Sequence, residues 1–149
     1  MLRWLARLKR AFKAALLWNK ALNSASRKNY AESLGYLRSV YDIFETRMPS
    51  ETVSCDINIL CANVACKLGD YDLSISAVTT ALSQLEHNAS EFSQSDKNYL
   101  SIYCRDILRY CAYYNRDERA AALAASIKTE FDPSLLRMVR QHIKRKFPM

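Results

Sequence analysis

Apolar residues recur at helical spacing along almost the whole chain. In residues 2 to 16, Leu2, Leu5, Leu8, Phe12 and Leu16 share one face at about 100° per residue, while Arg3, Arg7, Lys9, Arg10 and Lys13 cover most of the other. The pattern predicts a basic amphipathic helix. Trp18, Ala21, Leu22 and Ala25 continue at helical spacing to about Ser26, after which Arg27-Lys28-Asn29 reads as a turn. A second helix is expected from Tyr30 to about Thr46, carrying Leu34, Leu37, Val40, Tyr41 and Phe44. Pro49 disfavours helix at the residue before it and Ser50 offers a cap, so a new helix should run from there to about Leu68. Gly69 is placed to end it in the left-handed conformation, and Tyr71 to about Leu85 forms the next.

The polar stretch from His87 to Asp96 reads as a linker, with Ser95 or Asp96 as the following cap. Helices over about 97–114 and 117–131 follow, and Asp132-Pro133 opens a last one to about Lys146, with Leu135, Leu136, Val139 and Ile143 on one stripe. With 149 residues there is room for one domain with a real core. Two glycines and three prolines leave little material for the turns of an all-β fold, so the expected class is all-α.

Charge divides the chain into three. Residues 1–31 hold eight Lys/Arg and no acid, residues 32–132 nine basic and fifteen acidic side chains, and residues 133–149 five basic and no acid. The basicity belongs to the ends, which argues against a uniformly basic nucleic-acid-binding domain. Five cysteines at 55, 61, 66, 104 and 111 lie inside helical patterns without a Cys-x-x-Cys pair, and are expected as reduced core residues. His87 and His142 stand at no ligand spacing from them, so neither a metal nor any other cofactor is expected. No apolar run approaches the roughly 20 residues needed to cross a bilayer, and no signal peptide is read, which points to the cytoplasm.

Residues 61–82, Cys-Ala-Asn-Val-Ala-Cys-Lys-Leu-Gly-Asp-Tyr-Asp-Leu-Ser-Ile-Ser-Ala-Val-Thr-Thr-Ala-Leu, resemble one tetratricopeptide repeat. Ala62 and Ala81 supply its small packing residues, Gly69 and Tyr71 its turn, and Ser74 replaces the usual alanine, whereas Asn58 stands where a bulky apolar residue is typical. Weaker units surround it. The first has Trp18, Ala21, Leu22 and Ala25, and the third has Cys104, Ile107, Leu108 and Cys111 before Ala120 and Ala124. Superposing Ser33, Ser74 and Ala120 gives spacings of 41 and 46, longer than the usual repeat of about 34 and similar to the roughly 42-residue repeats of kinesin light chains. The resemblance implies a right-handed solenoid of about three antiparallel hairpins over 18–131, between a basic N-terminal helix (1–17) and a basic C-terminal capping helix (132–149).

It also implies a concave groove lined by the first helix of each pair. The residues expected to face it are Asn19, Asn23 and Arg27, then Asp56, Asn63 and Lys67, then Arg105, Arg109 and Tyr113. Amides and guanidinium groups suit an extended peptide or a helix bearing carboxylates, so the expected role is a non-enzymatic adaptor or assembly factor. The two-carboxylate clamp of chaperone-binding repeats is absent, because Asn19, Leu60, Ile102 and Asp106 occupy four of its positions. No nucleophile elbow, phosphate loop or metal signature supports catalysis.

The N-terminal helix leaves three readings open. It could recruit the protein to an anionic membrane, with Trp4, Leu5, Leu8 and Phe12 inserted and Arg3, Arg7 and Arg10 over headgroups. It could be an Arg-rich presequence for organelle import. It could lay Leu5, Leu8 and Phe12 on the first repeat as a cap. Exposed apolar residues could also pair two copies of the chain as a homodimer.

Overall fold

The computed structural model describes residues 1–44 and 51–127, together with Arg137 and Gln141, which are both helical and exposed. Among these residues the chain is all-α. Helices α1 (Leu2–Ser26), α2 (Tyr30–Ile43), α3 (Glu51–Leu68), α4 (Tyr71–His87), α5 (Gln94–Asn115) and α6 (Glu118–Ser126) are joined by short connections, with one 3₁₀ turn at Ala89–Glu91. The expected break at 48–50 and the terminal helix over 133–146, Arg137 and Gln141 aside, lie outside the described residues.

The pattern divides the first 26 residues near position 17, whereas α1 runs through without interruption. Neither glycine nor proline stands between Leu2 and Ser26, and alanine, leucine, lysine and arginine dominate the stretch, so nothing local stops the helix. What changes along it is the buried face. Ala14, Ala21, Ser24 and Ala25 are buried, while the Leu5, Leu8, Phe12 and Leu16 stripe points nearly the opposite way, about 175° around at 100° per residue.

Turns between the first two helix pairs repeat one geometry. Leading from α3 to α4, Gly69 takes φ 79°, its N–H bonds to Cys66 O at 3.2 Å, and the Asp70 N–H reaches back to Ala65 O at 2.9 Å. This is the Schellman arrangement that satisfies a helix's last carbonyls. From α1 to α2 the same bonds run from Lys28 to Ala25 O and from Asn29 to Ser24 O, both 2.9 Å, with Lys28 at φ 62° in the glycine's place. Asn29 and Asp70 then cap their helices by accepting from the Glu32 and Leu73 N–H groups.

Four residues beyond each cap, a buried serine ties the pair together. Ser33 Oγ donates to Ala21 O at 2.8 Å, and Ser74 Oγ donates to Ala62 O at 2.7 Å. Ala21 and Ala62 are themselves fully buried, as close helix approach requires. Every one of these positions recurs 41 residues later. The third pair departs from the register: Arg116 supplies the left-handed residue at φ 50° and Asp117 the cap, but the buried alanine is Ala120, three residues past the cap.

The 87–96 segment is less of a linker than its polarity suggests. Phe92 is buried, and Ser93, in place of Ser95 or Asp96, caps α5 by accepting from the Asp96 N–H at 3.1 Å. The helix therefore starts at Gln94, earlier than expected.

Helix α3 is the centre of the core and packs against α2, α4 and α5. Over 54–66 every residue except Asp56 is buried. A helix covered all round must also place its polar residues, and Asn58 does so through a chain of hydrogen bonds. Tyr41 Oη donates to Asn58 Oδ1, Asn58 Nδ2 donates to Gln84 Oε1 at 3.1 Å, and Gln84 Nε2 donates to Ser54 Oγ at 2.6 Å. The position that looked like a weak contact instead joins α2, α3 and α4, and burial pushes the Tyr41 phenol well up.

All five cysteines are buried and unbridged. Cys66 and Cys111 join α3 to α5 with their sulfurs 3.9 Å apart, and Ser74 Oγ lies 3.5 Å from Cys111 Sγ. Hydrogen bonding with Cys66 pulls the Cys111 thiol below its ordinary value, while the Cys66 thiol is pushed up by its bond with Cys111 and by burial.

Candidate interaction surfaces

The residues expected to line one continuous groove separate into three situations. Asn63 is buried, 8% exposed, beside the fully buried Leu60, so the middle of α3 presents no open polar face. The cause is the covering of α3 by its neighbours, which the apolar run on both sides of Asn63 makes favourable. Asp56 is half-buried and lines the pocket described below. Arg105 is also largely covered, its side chain 12% exposed and its Nε 3.9 Å from Asp106 Oδ1. Neither Asn63 nor Arg105 is available to a ligand as the groove requires.

Lys67, Arg109 and Tyr113 fare differently. All three are exposed, at the C-terminal ends of α3 and α5. Lys67 Nζ sits 5.7 Å from the Tyr110 ring, which lies 4.4 Å from Tyr114, and Tyr113 meets Tyr114 edge-on at 5.0 Å. Tyr110 and Tyr114, four residues apart, are neighbours on a helix surface, and a cation over such a ring is favourable. Tyr110 and Tyr114 were missed in the sequence because neither falls on the presumed groove face. Their signal was the run of tyrosines at 110, 113 and 114 beside a predicted turn.

Asn19 and Asn23 are exposed on α1, with exposed Arg27 at its C-cap, and form a separate group. Between α1, α2 and α3 lies an apolar pocket of about 280 Å³, lined by Ala14, Trp18, Val40, Phe44, Val53 and Ile57 among others. Trp18, expected as a repeat aromatic, packs at the edge of the core beside it.

Among the described residues, most of the exposed large apolar side chains lie at the start of the chain and along the first 15 residues of α1. Leu2, Trp4, Leu5, Leu8, Phe12 and Leu16 are 85, 63, 52, 47, 75 and 49% exposed. The cap reading is thereby corrected: Leu5, Leu8 and Phe12 do not lie on the first hairpin, because the stripe faces away from the residues through which α1 packs. Arg3, Arg7 and Arg10 are exposed as well.

Among the described residues no group of three His, Cys, Asp or Glu side chains could hold a metal ion, and no helix is long and apolar enough to cross a membrane. The chain matches no protein-family model, no curated protein and no solved structure.

Proposed function

We propose that the protein is a non-enzymatic interaction module, a tetratricopeptide-like array of helical hairpins that docks a carboxylate-bearing peptide or helix of a partner protein. The observation that carries this reading is the exposed group of Tyr110, Tyr113 and Tyr114, whose rings meet through Tyr114, with Lys67 over the Tyr110 ring and Arg109 exposed on the same helix. Tyrosines offer large contact area at low entropic cost and concentrate in binding hot spots, and the cations select a carboxylate. The 41-residue recurrence of turn, cap and serine bond supports the repeat-array reading, and repeat arrays act through extended surfaces.

The surface differs from the groove first expected in resting on α3 and α5 ends, without Asn63 and Arg105. Asn19, Asn23 and Arg27 extend it only for a ligand long enough to reach α1. Affinity capture with wild-type protein and with a Lys67→Ala/Arg109→Ala/Tyr113→Ala variant tests it. Partners held by the wild type should be lost from the variant, which remains folded because all three side chains are exposed. Equal capture by both removes the assignment.

A further inference from the structure

We infer that the outer face of α1 is a docking surface for an anionic lipid bilayer, on which the helix lies in the plane of the headgroups. Three features fit one another. The apolar stripe of Leu2, Leu5, Leu8, Phe12 and Leu16 runs about 22 Å along 15 residues of helix and is left bare by the fold. It points almost directly away from the buried Ala14, Ala21 and Ala25, so a flat surface can approach it without meeting the domain. Arg3, Arg7, Lys9, Arg10 and Lys13 occupy the remaining arc, and no acid occurs before Glu32. An in-plane helix needs this division: side chains reaching the acyl boundary on one face, cations at headgroup height around it, and a flanking tryptophan such as Trp4 at the interface.

Charge decides among the occupants. A second copy would add five more cations and no acid beside the first five, and an uncharged protein groove would leave those cations without counter-charges. Anionic headgroups supply that counter-charge, to Lys9 and Lys13 at the flank of the stripe and at longer range to Arg3, Arg7 and Arg10 on the far side, each cation near the surface contributing roughly a fivefold gain in affinity. The inference stands apart from the peptide-docking surface, which uses other helices.

Vesicle flotation of the full chain tests it. The protein should rise with vesicles of phosphatidylcholine and phosphatidylglycerol in equal parts, remain behind with phosphatidylcholine alone, and detach as salt is raised. Phe12→Asp and, separately, Leu5→Asp should weaken binding at least about tenfold while leaving the circular dichroism unchanged, since both side chains are more than half exposed. The Lys67→Ala/Arg109→Ala pair should float like the wild type, which separates failure of this inference from failure of the peptide-docking reading. Absence of flotation, or flotation indifferent to Phe12→Asp, overturns it. So does a dimer, or a complex with an acidic polypeptide, that needs Phe12 while the vesicles remain unbound.

Discussion

Replacing Asn58 isolates the contribution of the buried polar chain that joins α2, α3 and α4. Asn58→Ala deletes the acceptor of the Tyr41 hydroxyl and the donor to Gln84 Oε1 together. Each lost bond is worth about 1 kcal/mol, and each stranded partner costs about 1 to 3 kcal/mol when fully buried. Tyr41 and Gln84 are half-buried, which places both at the lower end. The sum is about 2 to 4 kcal/mol, including a small void left by the amide, and should lower the urea midpoint by about 1 to 2 M. Asn58→Leu separates the two causes, because it fills the space yet strands the same groups. It should cost nearly as much as Asn58→Ala.

Adding Tyr41→Phe to Asn58→Leu removes one of the stranded groups and should recover about 1 kcal/mol, a coupling that distant, independent sites would not show. Equilibrium urea unfolding of the wild type, Asn58→Leu, Tyr41→Phe and the double variant, followed by circular dichroism, gives the four free energies of the cycle. If Asn58→Leu is as stable as the wild type, or the two changes simply add, the hydrogen-bond chain is not what holds these helices in register.

Two further predictions concern the turns and the buried thiols. Gly69→Ala forces an L side chain to φ 79° in otherwise open space, so it should lose about 1 to 2 kcal/mol, and Lys28→Gly at φ 62° should gain up to about 1 kcal/mol; a gain for Gly69→Ala in urea unfolding would refute the shared-turn argument. Burial raises the thiols of Cys61 and Cys104 above their ordinary 9.0 and the phenols of Tyr41 and Tyr103 above 10.0. Raised folded values mean stability that is whole below the unfolded value and declines above it, so unfolding free energy should fall progressively as pH rises past about 9, first through the thiols and then through the phenols; urea titrations that stay flat to pH 11 would contradict their burial.

Helix periodicity and turn chemistry were readable because each rests on a few neighbouring residues. Gly69, Asp70 and Asn29 announced their turns through the backbone conformations and caps that their side chains favour. Lys28 and Arg116 could not, since nothing in a lysine or arginine advertises a left-handed φ, which the surrounding bonds impose. The start of α5 was misplaced for a related reason. Ser93, Ser95 and Asp96 are all competent caps, and the burial of Phe92, a tertiary event, selects the first. The candidate surface was less legible than the fold. A groove assigned by helical face alone assumes that the face stays open, and Asn63 shows how neighbouring helices can close over a polar residue that looks solvent-facing. Asn58 erred in the other direction: an amide among apolar residues looked like a poor fit, when its partners Tyr41 and Gln84 lie 17 and 26 residues away in sequence.

The 41-residue recurrence also explains why α1 carries two apolar faces and α3 only one continuous core. Ala21 and Ala62 occupy matching places, and so do Ser33 and Ser74, so α1 and α3 meet their own partners in the same way. Extending that register backwards sets Arg10 against Glu51, the first described residue of α3. Over the first turns of α1 the residues on the inward face are Arg3, Arg7 and Arg10, whereas leucines and Phe12 turn outward. A segment selected only to finish the hairpin would put its leucines inward, where burying each would stabilise by about 1.5 to 3 kcal/mol. Its polarity is reversed, and a helix that gives up that stabilisation over several residues has its apolar face oriented for something outside the fold.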